Sequence, residues 1–114
     1  MKRTLAISIA VCGLIGVSSA ANAKPARCEI KSYTNEYVGP CEFRASKGSF
    51  EFDLPQSASG KFGTQFYYVE ITSPGQGALY SDWVNRGRQF EESVERDPKK
   101  PACWVGEGWR VCVY

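Results

Sequence analysis

Four cysteines constrain this chain more than any other feature. Cys28, Cys41, Cys103 and Cys112 follow an N-terminal stretch with the form of an export signal, so they are expected to meet an oxidising compartment and form disulfides. That stretch has Lys2 and Arg3, a mostly apolar run from Leu5 to Val17, and small residues ending in Ala21-Asn22-Ala23. Cleavage is expected after Ala23, leaving residues 24–114 as one domain. The apolar run is shorter than the roughly 20 residues of a membrane span. No basic stop-transfer patch follows it, so no membrane insertion is expected after cleavage. Lipid attachment at Cys12 is disfavoured, because Cys12 sits in mid-run directly after Val11.

Four thiols make two bridges in more than one connectivity. A two-residue turn at Glu107-Gly108 sets Cys103 opposite Cys112, with Trp104 opposite Val111 and Val105 opposite Arg110. Opposed residues on antiparallel strands lie about 4.5–5.5 Å apart at Cα, a span that a disulfide bridges. The same symmetry puts the centre between Cys28 and Cys41 at Thr34-Asn35, another plausible turn. Cys28–Cys41 with Cys103–Cys112 is therefore the first choice, and a bridge from Cys28 or Cys41 to Cys112 is the runner-up. A four-thiolate metal site lacks any close CxxC spacing, and no cofactor is expected.

The rest reads mostly as strand. Residues 41–45 and 49–54 alternate apolar with polar side chains around a Lys47-Gly48 turn. Residues 55–60 read as a loop. The run Phe66-Tyr67-Tyr68-Val69-Glu70-Ile71, within residues 62–72, is the expected central strand. Ser73-Pro74-Gly75-Gln76-Gly77 breaks it, and a further strand starts at Ala78. Over residues 82–96 two readings compete. Trp83, Gly87, Phe90 and Val94 share a helical stripe, but Asn85-Arg86-Gly87 looks like a hairpin turn, which favours strand, turn and a second extended segment. The expected fold is all-β: a small antiparallel barrel or sandwich of about six to eight short strands.

The chain contains no histidine, which removes Ser-His-Asp catalysis and His-bearing metal sites. Glu91, Glu92, Glu95 and Asp97 cluster in sequence, but with Arg88, Arg96 and Lys99 interleaved they read as a solvated face. Gly75-Gln76-Gly77 lacks the spacing of a phosphate-binding loop. An enzyme is not expected. Loss of residues 1–23 removes Lys2 and Arg3, leaving 12 of the 14 basic residues against 12 acidic ones. Such a balanced domain has no field for steering onto nucleic acid.

Binding remains. The 3 Trp and 6 Tyr all lie beyond the signal, and such side chains supply large rigid contact area with a polar handle. Trp104, beside a cysteine on the apolar face of the last hairpin, is expected in the core. Trp109, Tyr80 and Trp83, close to turns, are the surface candidates.

Two resemblances bear on this. Gly39-Pro40-Cys41, the segment Pro101 to Val105, and Val111-Cys112-Val113-Tyr114 are similar to a group of small exported proteobacterial proteins with no assigned activity. Separately, Cys41 ahead of Phe50-Glu51-Phe52, then Gly77-Ala78-Leu79-Tyr80, Trp83, Arg86-Gly87 and a late Cys112, resembles the bacterial c-type lysozyme inhibitors. Those proteins are small eight-stranded barrels with a Ser-Gly-x-x-Tyr loop that enters the lysozyme cleft and a Lys-Gly motif on a neighbouring loop. Here Gly77 and Tyr80 match the first motif and Arg86-Gly87 is similar to the second. Gln76 replaces the motif serine, arginine replaces lysine, and Tyr80 lies closer to Trp83 than the pattern has it.

The expectation is a periplasmic or secreted bacterial module that binds a protein, with a lysozyme-type wall hydrolase as the most concrete partner. The loop from Gln76 to Tyr80 would enter a carboxylate-lined cleft, and Arg86 or Arg88 would pair with a catalytic acid. The alternatives are a small-ligand or glycan binder that stacks sugars on its aromatic rings, and a structural envelope protein.

Overall fold

The computed structural model describes residues 23–114; the expected export signal, apart from Ala23, lies outside the described residues, and Cys12 with it. Eight strands follow one another: β1 Lys24–Lys31, β2 Glu36–Ser46, β3 Ser49–Asp53, β4 Phe66–Ser73, β5 Gln76–Trp83, β6 Gly87–Arg96, β7 Cys103–Val105 and β8 Arg110–Val113. Each pairs antiparallel with the next, and β8 returns to β1 through Cys28↔Val113 to Lys31↔Arg110. The sheet is thus a closed up-and-down barrel, which leaves its two end strands covered.

Closure fixes the meaning of the period-two pattern. Ile30, Phe52, Tyr67, Val69, Leu79, Val94, Trp104 and Val111 point inward and are buried, while their neighbours along each strand carry most of the charge. Eight strands give an interior that side chains can fill. Here rings do much of the filling: Phe52 stacks on Tyr67 at 5.4 Å between centroids, and Phe50 lies 5.8 Å from Phe43 and 6.3 Å from Trp104. Each fully buried side chain of this size contributes about 1.5–3 kcal/mol relative to exposure. An apolar lumen inside a charged wall is the reverse of a barrel that faces lipid.

The strands expected at residues 41–45 and 49–54 form, with the Lys47-Gly48 turn between them. Residues 82–96 are strand, turn and strand, not helix. Three boundaries differ from expectation. Pro55 to Gly60 is not a plain loop: Gln56–Ala58 forms a 3-10 turn that continues into the single helical turn Ser59–Phe62. Tertiary packing stabilises it, since Ala58 is buried and the Phe62 ring sits 6.4 Å from both Tyr67 and Trp109, capping one end of the barrel. The central strand accordingly begins at Phe66 rather than Phe62. The break after β4 is narrower than expected, because Ser73 already pairs with Gln76. Pro74 followed by Gly75 at φ 76° makes a tight turn that only glycine adopts without strain, so Gln76 and Gly77 belong to β5.

Both first-choice disulfides are present. Cys103 and Cys112 sit opposite each other as the hairpin predicts, with Trp104↔Val111 and Val105↔Arg110 beside them. Cys28 and Cys41 are also joined, but not as directly opposed residues: Cys28 pairs with Gly39, and Cys41 with Ala26. A shift of two positions keeps both thiols on the inner face, so the bridge runs diagonally across the ladder at a Cα separation of 5.8 Å. The turn is centred on Tyr33-Thr34 instead of Thr34-Asn35, with Lys31↔Glu36 as the last pair. Cysteine spacing alone does not distinguish the two registers, which differ by two positions and keep the same inner face; the observed one also brings the Tyr33 hydroxyl to the Glu92 carboxylate. Two bridges in so small a domain place the folded chain in an oxidising, non-cytosolic compartment.

Candidate functional site

The outer face of β4, β5 and β6 carries a row of rings. Because strand neighbours alternate sides, burying Tyr67 and Val69 turns Tyr68 outward, and burying Leu79 and Ser81 turns Tyr80 outward. Register then aligns them: Tyr68 lies opposite Tyr80, and Tyr80 opposite Phe90. Ring centroids are 5.8 Å apart in the first pair and 5.7 Å in the second, which is edge-to-face. Phe90 is 58% exposed. Arg88, two residues before it, lays its guanidinium 3.8 Å from the centre of the Tyr68 ring and 3.7 Å from Asp82.

A charged clamp holds the next two strands. Arg44 on β2 donates to both oxygens of Asp53 at 2.8 and 2.9 Å and to Glu51 at 3.1 Å. These carboxylates, Asp53 foremost, hold the guanidinium even more firmly protonated than an ordinary arginine. Glu51 is the cross-strand neighbour of Tyr68, so the clamp borders the aromatic row.

A β-bulge shapes the rim where the helical turn caps the barrel. Leu79 pairs with Glu92 and Tyr80 with Phe90, leaving Glu91 as the extra residue of β6. Both successive carboxylates thereby find partners. Glu92 accepts from the Tyr33 hydroxyl at 2.6 Å and from the amides of Gly108 and Trp109 at 3.0–3.1 Å. Glu91 accepts from Ser81 Oγ at 2.6 Å, which in turn accepts from Trp83 Nε1 at 2.8 Å. The hydrogen bond to Glu92 raises the Tyr33 phenol above its ordinary value, and burial, with Glu91 nearby, raises Tyr67 strongly. The expected solvated acidic face is therefore only partly realised: Glu95 is exposed, but Glu91 and Glu92 are half-buried and tied into the rim. Asp97 is held below the usual carboxylate range, first by the Lys99 amide at 2.9 Å and also by Arg110.

Beside that rim lies an open cleft of ≈ 500 Å³ bounded by Gln56, Ser59, Thr64, Trp83, Asn85 and Arg86. Arg86 covers the Trp83 ring at 4.5 Å. Among the described residues no group of three His, Cys, Asp or Glu side chains is arranged to hold a metal ion.

The seven residues singled out by sequence thus separate. Tyr80 and Arg88 meet on the outer aromatic row. Trp83 and Arg86 meet in the cleft. Trp109 packs among Phe62 and Tyr67 in the barrel mouth, 6.0 Å from the latter ring. Gly77 is buried, and a Cβ there would lie 2.8 Å from the Glu70 carbonyl oxygen. Gln76 opens β5 at the far end from Trp83, about 23 Å away along an extended strand. Tyr68, Phe90, Glu91, Glu92 and Tyr33 are not among the binding candidates that the sequence offers. Alternation alone marks Tyr68, since buried Tyr67 and Val69 flank it; the bulge at Glu91, which sets Phe90 and both carboxylates, leaves no sequence signal.

No protein-family model, curated protein or solved structure matches this chain.

Proposed function

We propose that this barrel is an exported binding module of the periplasm or extracellular space, which docks on another protein through the outer face of β4–β6 and works by binding rather than turnover. The observation that carries this reading is the exposed ring of Phe90 at the end of the Tyr68–Tyr80–Phe90 row, with Arg88 beside it. Aromatic side chains and arginine around a rigid sheet are the composition of protein-binding hot spots. The rings meet at steep angles, and Arg88 covers one face of Tyr68, so the row offers a protein partner more than it offers a flat sugar-stacking platform.

The most concrete partner is a lysozyme-type wall hydrolase, whose cleft carries catalytic carboxylates that an arginine can engage. Tyr80 and Arg88 form the centre of the docking face, and Gln76 lies outside it. Addition of the oxidised protein to lysozyme acting on bacterial walls is expected to slow lysis, and Phe90→Ala and Arg88→Ala are expected to weaken that effect. Full lysis in the presence of the protein at several hundred micromolar removes the hydrolase as partner.

The cleft supports a second reading. Gln56, Ser59 and Asn85 around one opening offer hydrogen-bonding groups to a wall saccharide beside the Trp83 ring, which Arg86 covers. A change in tryptophan fluorescence with soluble wall fragments, absent in Trp83→Phe, is the result expected of a glycan site.

A further inference from the structure

β6 is covered along only half its length. It pairs with β7 through Glu95↔Val105 and Arg96↔Trp104, whereas its pairing with β5 runs from Gln76↔Glu95 to Trp83↔Gly87. The β7–β8 turn extends the cover as far as Glu92 and Ser93. A Cβ on Gly106 would lie 2.8 Å from the Ser93 carbonyl oxygen, and the Glu92 carboxylate holds the amides of Gly108 and Trp109. From Gly87 to Glu91 no strand of the described chain pairs with the side of β6 turned away from β5. Exposure agrees: Gly87, Arg88, Gln89 and Phe90 are all exposed, with none of the in-and-out alternation of β5. An edge of this kind presents backbone N–H and C=O groups at ladder spacing and accepts another strand.

We infer that a second copy of this chain fills that edge, the Gly87–Glu91 segments of two molecules pairing antiparallel about a two-fold axis. Charge order selects this occupant. The segment reads Arg86-Gly87-Arg88-Gln89-Phe90-Glu91-Glu92, basic at its start and acidic at its end. Antiparallel pairing centred on Gln89, within the uncovered stretch, sets Gly87 against Glu91 of the second copy and Arg88 against Phe90. No like charges face each other, and each exposed Phe90 ring is set beside the aliphatic stem of the second copy's Arg88, whose guanidinium stays over Tyr68, a contact made twice by the symmetry. A parallel pairing of two copies would instead align arginine with arginine and glutamate with glutamate. The Tyr68–Tyr80–Phe90 row ends at this edge, so the two-fold joins two rows end to end. Residues 24–114, with 12 basic and 12 acidic side chains, carry no net charge to oppose the approach. The bulge at Glu91 ends the added ladder, which keeps the contact short and the dimer reversible.

The test is sedimentation of oxidised residues 24–114, which hold all eight strands and both disulfides, from about 10 μM to about 1 mM. Amide hydrogen exchange is followed at both ends of that range. A rise to the dimer mass with new protection confined to Gly87–Glu91 is expected. Phe90→Lys, and Arg86→Glu with Arg88→Glu, are expected to keep the far-ultraviolet spectrum of the barrel and to stay monomeric. A monomer throughout, a dimer unmoved by both variants, or new protection elsewhere overturns the inference. So does protection of these amides by an added foreign peptide while the chain stays monomeric, which gives the edge to a different partner.

Discussion

The Tyr33 hydroxyl donates to the Glu92 carboxylate at 2.6 Å, joining the β1–β2 turn to β6 across 59 positions of sequence. The same carboxylate holds two backbone amides of the β7–β8 turn, so one side chain ties three parts of the rim together. Glu92→Ala leaves the Gly108 and Trp109 amides without this acceptor in a partly buried place and is expected to cost about 1–3 kcal/mol. Tyr33→Phe removes a single bond made by an exposed residue and is expected to cost less than Glu92→Ala. Urea unfolding of both variants measures the difference, and equal costs contradict the assignment of Glu92 as the hub.

Tyr67 governs the alkaline limit. Its ring is in the core, and burial raises its phenol well above the ordinary value of 10.0. A raised value means that the folded state holds the proton more tightly than the unfolded chain. The resulting stabilisation is complete below pH 10 and falls away as pH rises through the folded-state value. Tyr67→Phe has no proton to lose, and the bond it gives up, to the Thr64 carbonyl, is long at 3.4 Å. Near-neutral stability is expected to change by no more than about 1 kcal/mol, while the fall in stability above pH 10 becomes shallower. Denaturant midpoints at pH 8 and pH 11 check this, and equal slopes for both proteins contradict it.

The two disulfides are expected to differ in worth. Cys28–Cys41 closes 13 positions and lies within the core cluster, whereas Cys103–Cys112 closes 9 and lies on the opposite face of the last hairpin from Trp104 and Val111. Loop closure alone gives each roughly 2–3 kcal/mol, nearly the same for the two lengths. All four cysteines are buried, but only the inner pair belongs to the core cluster, so the cavity left by its replacement with alanine is expected to cost on the order of 1 kcal/mol more. Cys28→Ala with Cys41→Ala is therefore expected to unfold at lower denaturant than Cys103→Ala with Cys112→Ala. The reverse order would show that the inner bridge adds little packing.

The legible part of the fold was the part set by local pattern. Alternation around Phe50-Glu51-Phe52 and Phe66 to Ile71, glycine at the turns, and the mirror spacing of Cys103 and Cys112 each translate directly into ladder geometry, and each appears in the barrel. What escaped was set by contacts distant in sequence. The spacing of Cys28 and Cys41 fits a turn centred on Thr34-Asn35 as well as the observed one on Tyr33-Thr34, in which Tyr33 meets Glu92 from the far side of the sequence. Nothing in residues 55–62 forecasts the helical turn, because its stabilisation comes from Phe62 resting on Tyr67 and Trp109. The nearness of Pro74-Gly75 places Gly77 in a loop by local pattern, whereas its buried place in β5 has Val69 and Trp104 side chains and the Glu70 carbonyl around it. The proposed docking face is half visible in the sequence: Tyr80 as an aromatic residue close to a turn, Arg88 only through the inhibitor resemblance, and Phe90 not at all, because the bulge that turns it outward leaves no sequence signal.

Gly63 offers a test of how the cleft is built. It ends the helical turn at φ 85°, a left-handed conformation that costs a residue with a Cβ about 1–2 kcal/mol. A Cβ at this position also runs into the six-membered ring of Trp83. Gly63→Ala must therefore either displace the indole or unwind the turn. Displacement breaks the Trp83 Nε1 bond to Ser81 Oγ and uncovers the Arg86 stack, moving the ring toward water. The variant is expected to lose about 2–3 kcal/mol in all, with tryptophan emission shifted to longer wavelength. In a Trp83→Phe background the smaller ring leaves more room for the added methyl group, so the same substitution is expected to cost less and to leave the emission of Trp104 and Trp109 unmoved. An equal cost in both backgrounds would assign the whole penalty to the backbone and none to the packing of Trp83.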